Sequence, residues 1–209
     1  MIYNSRVTLI WGRFLLAFGL ICLAQGCLHE IPAEPEVGSS QSNLAVGRAL
    51  AVLTGERSRI YQPTVRSFEI QNKDTGDRFQ VEIKSDDEQF FLPLAPGHYE
   101  LIRVQISEGP FLSMAELAST FSIGRDPVTY LGTWRFAVDS PKYGRMVSIS
   151  MVNDEDHREQ AVQSIAQKYP SMDHALLTTV LPDPPQAQAR LFEVMPYPRV
   201  SRYFRRHWW

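Results

Sequence analysis

Phe68-Glu69-Ile70-Gln71-Asn72-Lys73-Asp74-Thr75-Gly76-Asp77-Arg78-Phe79-Gln80-Val81-Glu82-Ile83-Lys84 reads as two strands and the turn between them. Phe68 and Ile70 alternate with Glu69 and Gln71; Phe79, Val81 and Ile83 alternate with Gln80, Glu82 and Lys84. A period of two with one apolar face marks half-buried strands. The link Asn72–Asp77 is rich in the residue types that turn hairpins.

The pattern continues on both sides. Tyr130, Trp134, Phe136 and Val138 share one phase with Gly132 between them, and Val147, Ile149 and Met151 alternate with Ser148 and Ser150. Ala95-Pro96-Gly97 makes a turn between Phe90-Phe91-Leu92 and Tyr99–Val104, and Gly124-Arg125-Asp126-Pro127 makes another. Several strands spaced by turn signals predict a mainly β chain, an antiparallel β-sandwich of Ig-like or prealbumin-like form over residues 44–181. The run Phe91–Leu101, with Leu94, Pro96, Gly97, Tyr99 and Leu101, resembles the L-x-PG-x-Y-x-L hairpin of transthyretin-like and carboxypeptidase-regulatory-like β-sandwiches. That resemblance covers Leu44 to Ser107. It implies a Pro-Gly turn with Tyr99 over the end of the sandwich, in a module that binds, spaces or stabilises.

One helix is expected near 157–169. Asp156 and Glu159 have the spacing of a capping box. Val162, Ile165, Ala166 and Tyr169 form one apolar stripe that would pack on a sheet, and Pro170 stops the helix. Asp173–Leu181 fits either a short helix or an extended segment. Leu191–Met195 fits a last strand. Pro182, Pro184 and Pro185 separate the body from a tail, 182–209.

The N-terminus has a different character. Arg6 and Arg13 precede an apolar core from Phe14 to Ala24, and small residues lead to Cys27. A basic start, a short apolar core and a small-residue cleavage site define an export signal over residues 1–26. The core is eleven residues long, short of the about 20 that cross a bilayer. Ala24-Gln25-Gly26-Cys27 resembles the lipobox of bacterial lipoproteins, with Gly26 as the small residue before the cysteine and Ala24 where Leu is preferred. The resemblance implies cleavage before Cys27, diacylglycerol on its thiol and acylation of the new amine. Two acyl anchors already hold a protein stably, so the lipid bilayer is the first expected partner. In such lipoproteins Leu28 favours outer-membrane sorting over retention at the inner membrane. A plain signal peptide with an incidental cysteine, or a short buried helix, is the competing reading.

Cleavage removes Cys22 and acylation consumes Cys27, so the mature chain has neither a disulfide framework nor a cysteine zinc site. Residues 28–43, with Pro32, Pro35, Glu30, Glu34, Glu36 and a Ser/Gly run, read as a flexible tether behind the lipidated cysteine. Fully extended it would reach on the order of 50 Å. The mature chain carries 19 basic and 23 acidic side chains. From Arg190 onward the balance reverses, with five arginines and one acid. The acidic body argues against nucleic-acid binding.

Candidate chemistry is sparse. Asn153-Asp154-Glu155-Asp156-His157 fails the EF-hand spacing and reads as a helix start, where acids oppose the positive helix end. His29, His98, His157, His174 and His207 form neither HxxxH nor HExxH. No GxSxG, SxxK, phosphate-loop or dinucleotide glycine pattern is present. Asp86-Asp87-Glu88 reads as a solvated charge run. No catalytic residue, metal site or cofactor is expected. In the tail, Arg202, Tyr203, Phe204, Arg205, Arg206, Trp208 and Trp209 combine arginine with aromatics. Those residues suit an interface hot spot or an anionic headgroup surface; an end folded back on the acidic body fits as well.

The expectation is an outer-membrane lipoprotein, facing the periplasm, whose sandwich is a non-catalytic binding or structural module, an accessory subunit of an envelope assembly. A periplasmic hydrolase with a site dispersed in sequence is the alternative. An enzyme should show a deep pocket with convergent polar groups. A binding module should show an exposed apolar patch.

Overall fold

The computed structural model describes residues 28–31, 43–54, 61–83, 88–139, 145–170, 177–184 and 188–194. They form β1 (Leu28–Ile31), β2 (Asn43–Thr54), β3 (Thr64–Asn72), β4 (Arg78–Glu82), β5 (Gln89–Leu94), β6 (Gly97–Glu108), β7 (Phe111–Ile123), β8 (Val128–Asp139) and β9 (Met146–Val152). Helix α1 (Glu155–Lys168) follows, then β10 (Leu177–Thr179), β11 (Ala189–Arg190) and β12 (Phe192–Val194). One sheet runs β1-β4-β3-β6-β7-β12; the other runs β11-β9-β8-β2-β5, with β10 also on β8. Among the described residues the expected mainly β sandwich with a single helix is observed. Most strand pairs are antiparallel, but β1–β4, β2–β8 and β10–β8 are parallel. Each parallel pair joins strands far apart in sequence, which turn signals between neighbours do not announce.

The opening stretch folds as read. β3 and β4 pair with Ile70 opposite Phe79 and Gln71 opposite Arg78. In the turn, the Asn72 side-chain oxygen accepts from the Asp74 and Thr75 amides at 2.8 and 3.2 Å, and Gly76 takes φ +82°. Ala95-Pro96-Gly97 differs from the expected hairpin. It carries the chain from β5 in one sheet to β6 in the other, so it is a corner of the sandwich. Tyr99 does seal that corner: it is buried, and its hydroxyl donates to the Ala95 carbonyl at 2.8 Å. The turns Asn72–Asp77, Ala95–Gly97 and Gly124–Pro127 gather at one end. His98 N–H donates to Asp74 at 2.9 Å, and the Asn43 side-chain amide donates to the Gly124 carbonyl. The two-residue Gly109-Pro110 turn between β6 and β7 lies at the opposite end, with Gly109 at φ +59°.

Between the sheets lies the main core, with Phe68, Ile70, Val81, Leu101, Phe121 and Val104 from one side and Phe90, Leu92, Trp134, Phe136 and Val147 from the other. Tyr130 is not among them. It belongs to a second cluster with Leu44, Val46, Phe91 and Val128, on the outer face of the second sheet under α1. The single phase expected for Tyr130 and Trp134 is therefore corrected. Val46 opposes Tyr130, yet Arg48 opposes Thr133, so β8 carries one extra residue in a bulge at Gly132. An extra residue reverses the alternation. Tyr130 faces the helix while Leu131, Trp134, Phe136 and Val138 face the core.

Helix α1 packs on a sheet as expected, but it starts earlier and turns a different face. Asp154, not Asp156, is the N-cap, accepting from the His157 amide at 3.2 Å. The buried positions are His157, Ala161 and Ile165, with Tyr169 at the C-cap; Val162 and Ala166 are only half-buried. Asp154→Ala should lower stability by about 1 kcal/mol, against a few tenths for Asp156→Ala, which touches only the helix dipole. Equal losses in thermal unfolding would return the cap to Asp156.

One further segment departs from expectation, and one is decided by the fold. Leu28–Ile31, read as part of an unstructured tether, forms β1, paired parallel with β4 from Leu28–Arg78 to Ile31–Val81. An edge strand offers unpaired backbone donors and acceptors whatever the side-chain pattern of the segment that joins it, so hydrophobic periodicity gave no signal. Of Asp173–Leu181, which fits either a short helix or an extended segment, residues 177–181 are described, and Leu177–Thr179 form a strand. β10 lies on β8, and Asp183 N–H donates to the Thr120 carbonyl at 2.8 Å. β11 then pairs with β9 and β12 with β7, so this chain laces the two sheets along one side. Arg145, just before β9, pairs with Glu108 at the end of β6 across the same side.

Candidate functional site

A groove of about 360 Å³ opens between the β6–β7 pair and residues 180–183. Strand register makes its walls. Tyr99 opposes Phe121 and both are buried, their rings stacked at 5.6 Å; with Val180 and Leu181 they supply the apolar lining. One residue on, the alternation exposes His98 and Ser122, also directly opposite each other. Lys73, Thr120 and Asp183 complete the rim.

The polar groups at the rim are tied to the fold. His98 Nδ1 lies 2.9 Å from Ser122 Oγ. An imidazole beside a hydroxyl is part of the arrangement that activates serine, but there a carboxylate holds the second ring nitrogen. Here the carboxylate that engages His98, that of Asp74, takes its main-chain N–H. Lys73 Nζ donates to Glu100 at 2.6 Å. The Ser119 hydroxyl donates to the Asp183 carbonyl, and Thr120 Oγ1 donates to the Asp183 carboxylate at 3.3 Å. The groove can therefore accept a ligand of mixed polarity, with an apolar wall and a cation, an imidazole and a carboxylate at the rim.

A second polar cluster is buried under α1. Tyr130 OH lies 3.0 Å from His157 Nδ1 and 3.1 Å from the Asp154 carbonyl. The carbonyl only accepts, so the hydroxyl donates to it and accepts from Nδ1–H. Sequence reading placed His157 in an acidic helix start; its spacing of four to Ala161 and eight to Ile165 is the signal that marks it as buried.

Burial raises both Tyr99 and Tyr130 above their ordinary pKa of 10.0. Asp74 and Asp77 add to the rise at Tyr99, opposed by Asn72. Asp154 and Glu155 add to it at Tyr130, opposed by Thr133 and Arg158. The unfolded chain thus ionises first as pH climbs through 10, binds fewer protons than the folded chain and gains population. Stability should be flat with respect to these groups below that pH and fall above it. Ultraviolet phenolate titration should show Tyr99 and Tyr130 ionising at higher pH in the folded chain than in the unfolded one. Tyr130→Phe should make the alkaline decline shallower; an unchanged decline would refute the assignment.

The residues expected to carry function are placed as follows. Cys27 and the tail residues Arg202, Tyr203, Phe204, Arg205, Arg206, Trp208 and Trp209 lie outside the described residues, as do His174, His207, Asp86 and Asp87. Glu88 pairs with Arg48 at 3.6 Å. Among the described residues no three of His, Cys, Asp or Glu come together to hold a metal. The groove was not anticipated: its parts come from the β3–β4 turn, β6, β7 and residues 180–183, and no motif links them. No family model, no curated protein and no solved structure matches the chain.

Proposed function

We propose that this chain is a bacterial envelope lipoprotein, held at the periplasmic side of the outer membrane by acyl chains on Cys27. Its sandwich then serves as a non-catalytic binding or structural module. The observation that carries this reading is the run from Arg13 to Cys27, a short apolar core ending in Ala24-Gln25-Gly26-Cys27. The groove is consistent with binding, because its rim groups are engaged in holding turns and strands. Labelled palmitate should enter the wild-type protein and not Cys27→Ala, which should keep its signal uncut. Equal processing and retention of the variant would refute lipidation.

One observation favours the hydrolase alternative, the 2.9 Å approach of His98 to Ser122 at the groove rim. A serine-directed phosphonate that labels the wild type but not Ser122→Ala would replace the binding-module reading.

A further inference from the structure

The registers of the six-stranded sheet fix where the chain enters it and where it leaves. Leu28 pairs with Arg78, Arg78 with Gln71, Gln71 with Glu100, and Glu100 with Thr120. Leu28 therefore lies in the row of Thr120. Val194 pairs with Leu112. The two rows are eight residues apart on β7, about 26 Å along the strands at about 3.3 Å per residue. β1 and β12 are the two edges of this sheet, five strand spacings apart, or about 24 Å across at about 4.8 Å each. The chain enters at one corner of the sheet and leaves at the diagonal corner.

Directions complete the picture. β1 runs parallel to β4, away from the Asn72–Asp77 turn, so the chain enters β1 at Leu28 from the side of that turn. β12 runs antiparallel to β7, toward the Gly109-Pro110 tip, so the last described residue, Val194, lies on that side. The 16 residues read as a tether do not separate Cys27 from the domain: the first four of them are already strand β1.

From this geometry we propose that the lipidated protein is docked end-on at the bilayer. The turns Asn72–Asp77, Ala95–Gly97 and Gly124–Pro127 face the lipid surface, and the Gly109-Pro110 tip with the root of the basic-aromatic tail points away from it. The inference rests on lipidation of Cys27. Acyl chains at the edge of a paired strand hold that corner at the headgroups, whereas a free tether would let the domain tumble. The end so held exposes Lys73, Arg78 and Arg125 beside Asp74 and Asp126, a mixed-charge surface, so the anchor and not charge sets the orientation. It also carries His98 and Ser122, so the groove opens at the bilayer side. The opposite end exposes Tyr61 and Phe111 beside the hairpin tip.

The test uses the full chain, purified with its lipid and reconstituted into phosphatidylcholine–phosphatidylglycerol vesicles. The mature chain has no other free thiol, so single cysteines report cleanly. Arg125→Cys marks the anchor end and Gln62→Cys, two residues before β3, the far end; both positions are exposed. Each is labelled with a fluorophore, and quenching by headgroup-linked acceptor lipids is measured. The expected result is at least a several-fold stronger quenching at residue 125 than at residue 62. Equal quenching, or the reverse order, overturns the proposal. Palmitate incorporation is measured on the same samples. Its absence refutes the lipoprotein reading and this proposal together, while acylated protein with equal quenching refutes the docking alone.

Discussion

Trp134→Ala is expected to destabilise the fold by about 3–5 kcal/mol, the cost typical of deleting a large aromatic from a packed core. The indole is fully buried, with ring centroids of Phe90, Phe68 and Phe121 at 4.9, 5.1 and 6.0 Å. Phe68 and Phe121 come from one sheet, Phe90 and Trp134 from the other, so the ring joins both layers. Its Nε1–H donates to the Leu131 carbonyl at 3.0 Å, and truncation leaves that buried acceptor unsatisfied. Neighbours anchored in two different sheets cannot collapse into the space left behind. Against a typical total of about 5–15 kcal/mol, such a loss removes a large part of the stability. The melting temperature should fall by roughly 10 °C, and the urea midpoint should fall with an unchanged slope. A loss below about 1 kcal/mol would mean that the aromatic cluster is not the centre of the core. Trp134→Phe keeps a ring in the cluster and should lose less.

Gly132→Ala should cost about 2–5 kcal/mol, from two separable causes. The backbone there has φ +77°, a conformation that disfavours any residue with a Cβ by about 1–2 kcal/mol. A Cβ would also come within 2.8 Å of the Val152 carbonyl oxygen and 2.5 Å of Leu181 Cδ2. The leucine can move; the main-chain oxygen belongs to the strand paired with β8 and cannot move cheaply. Overpacking of this kind costs about 1–3 kcal/mol. Gly76→Ala separates the causes, since Gly76 has φ +82° but nothing within 4 Å of its Cβ position. That variant should lose only the backbone part, about 1 kcal/mol. Equal losses in urea unfolding of the two variants would show that the bulge relaxes around the methyl. A larger loss at Gly132 identifies it as the pivot that sends Tyr130 to the helix and Trp134 to the core.

The same glycine marks where sequence reading stopped. Gly132 was visible between Tyr130 and Trp134, and their even spacing invited a single apolar face. Only the partner strand shows that Gly47 faces two residues of β8, because a bulge is a property of a pair. The cap of α1 was displaced for a related reason. Asp156 has Glu159 at capping-box spacing, whereas His157 stands three residues after Asp154; the choice between them was made by where Tyr130 and Phe91 offer apolar surface. His157, four residues before Ala161, then turns inward to meet the Tyr130 hydroxyl.

The candidate groove was less legible than the fold. Tyr99 was read as a cover for one end of the sandwich, and it is buried there. Its companions Lys73, Thr120, Phe121 and Asp183 are separated by up to 110 residues. What unites them is that residues 180–183 bond to β7 across the open side of the sandwich, an arrangement with no local signature.

Read alone, the chain announces β3, β4, β5, β6, β8 and β9, most of their buried faces, the β3–β4 turn, a helix after β9 and the expectation of a lipid anchor. Each of these follows from residues within a few positions of one another: alternation, turn chemistry, an apolar run ending in a cysteine. Tertiary structure decided which strands are neighbours, that Ala95-Pro96-Gly97 is a corner, that Leu28–Ile31 is an edge strand and that His98 meets Ser122. Those outcomes depend on backbone hydrogen bonds and on contacts between distant segments. Main-chain donors and acceptors are the same at nearly every residue, so the choice of partner is made by the packing of the whole sandwich and leaves no local mark on the segments that pair.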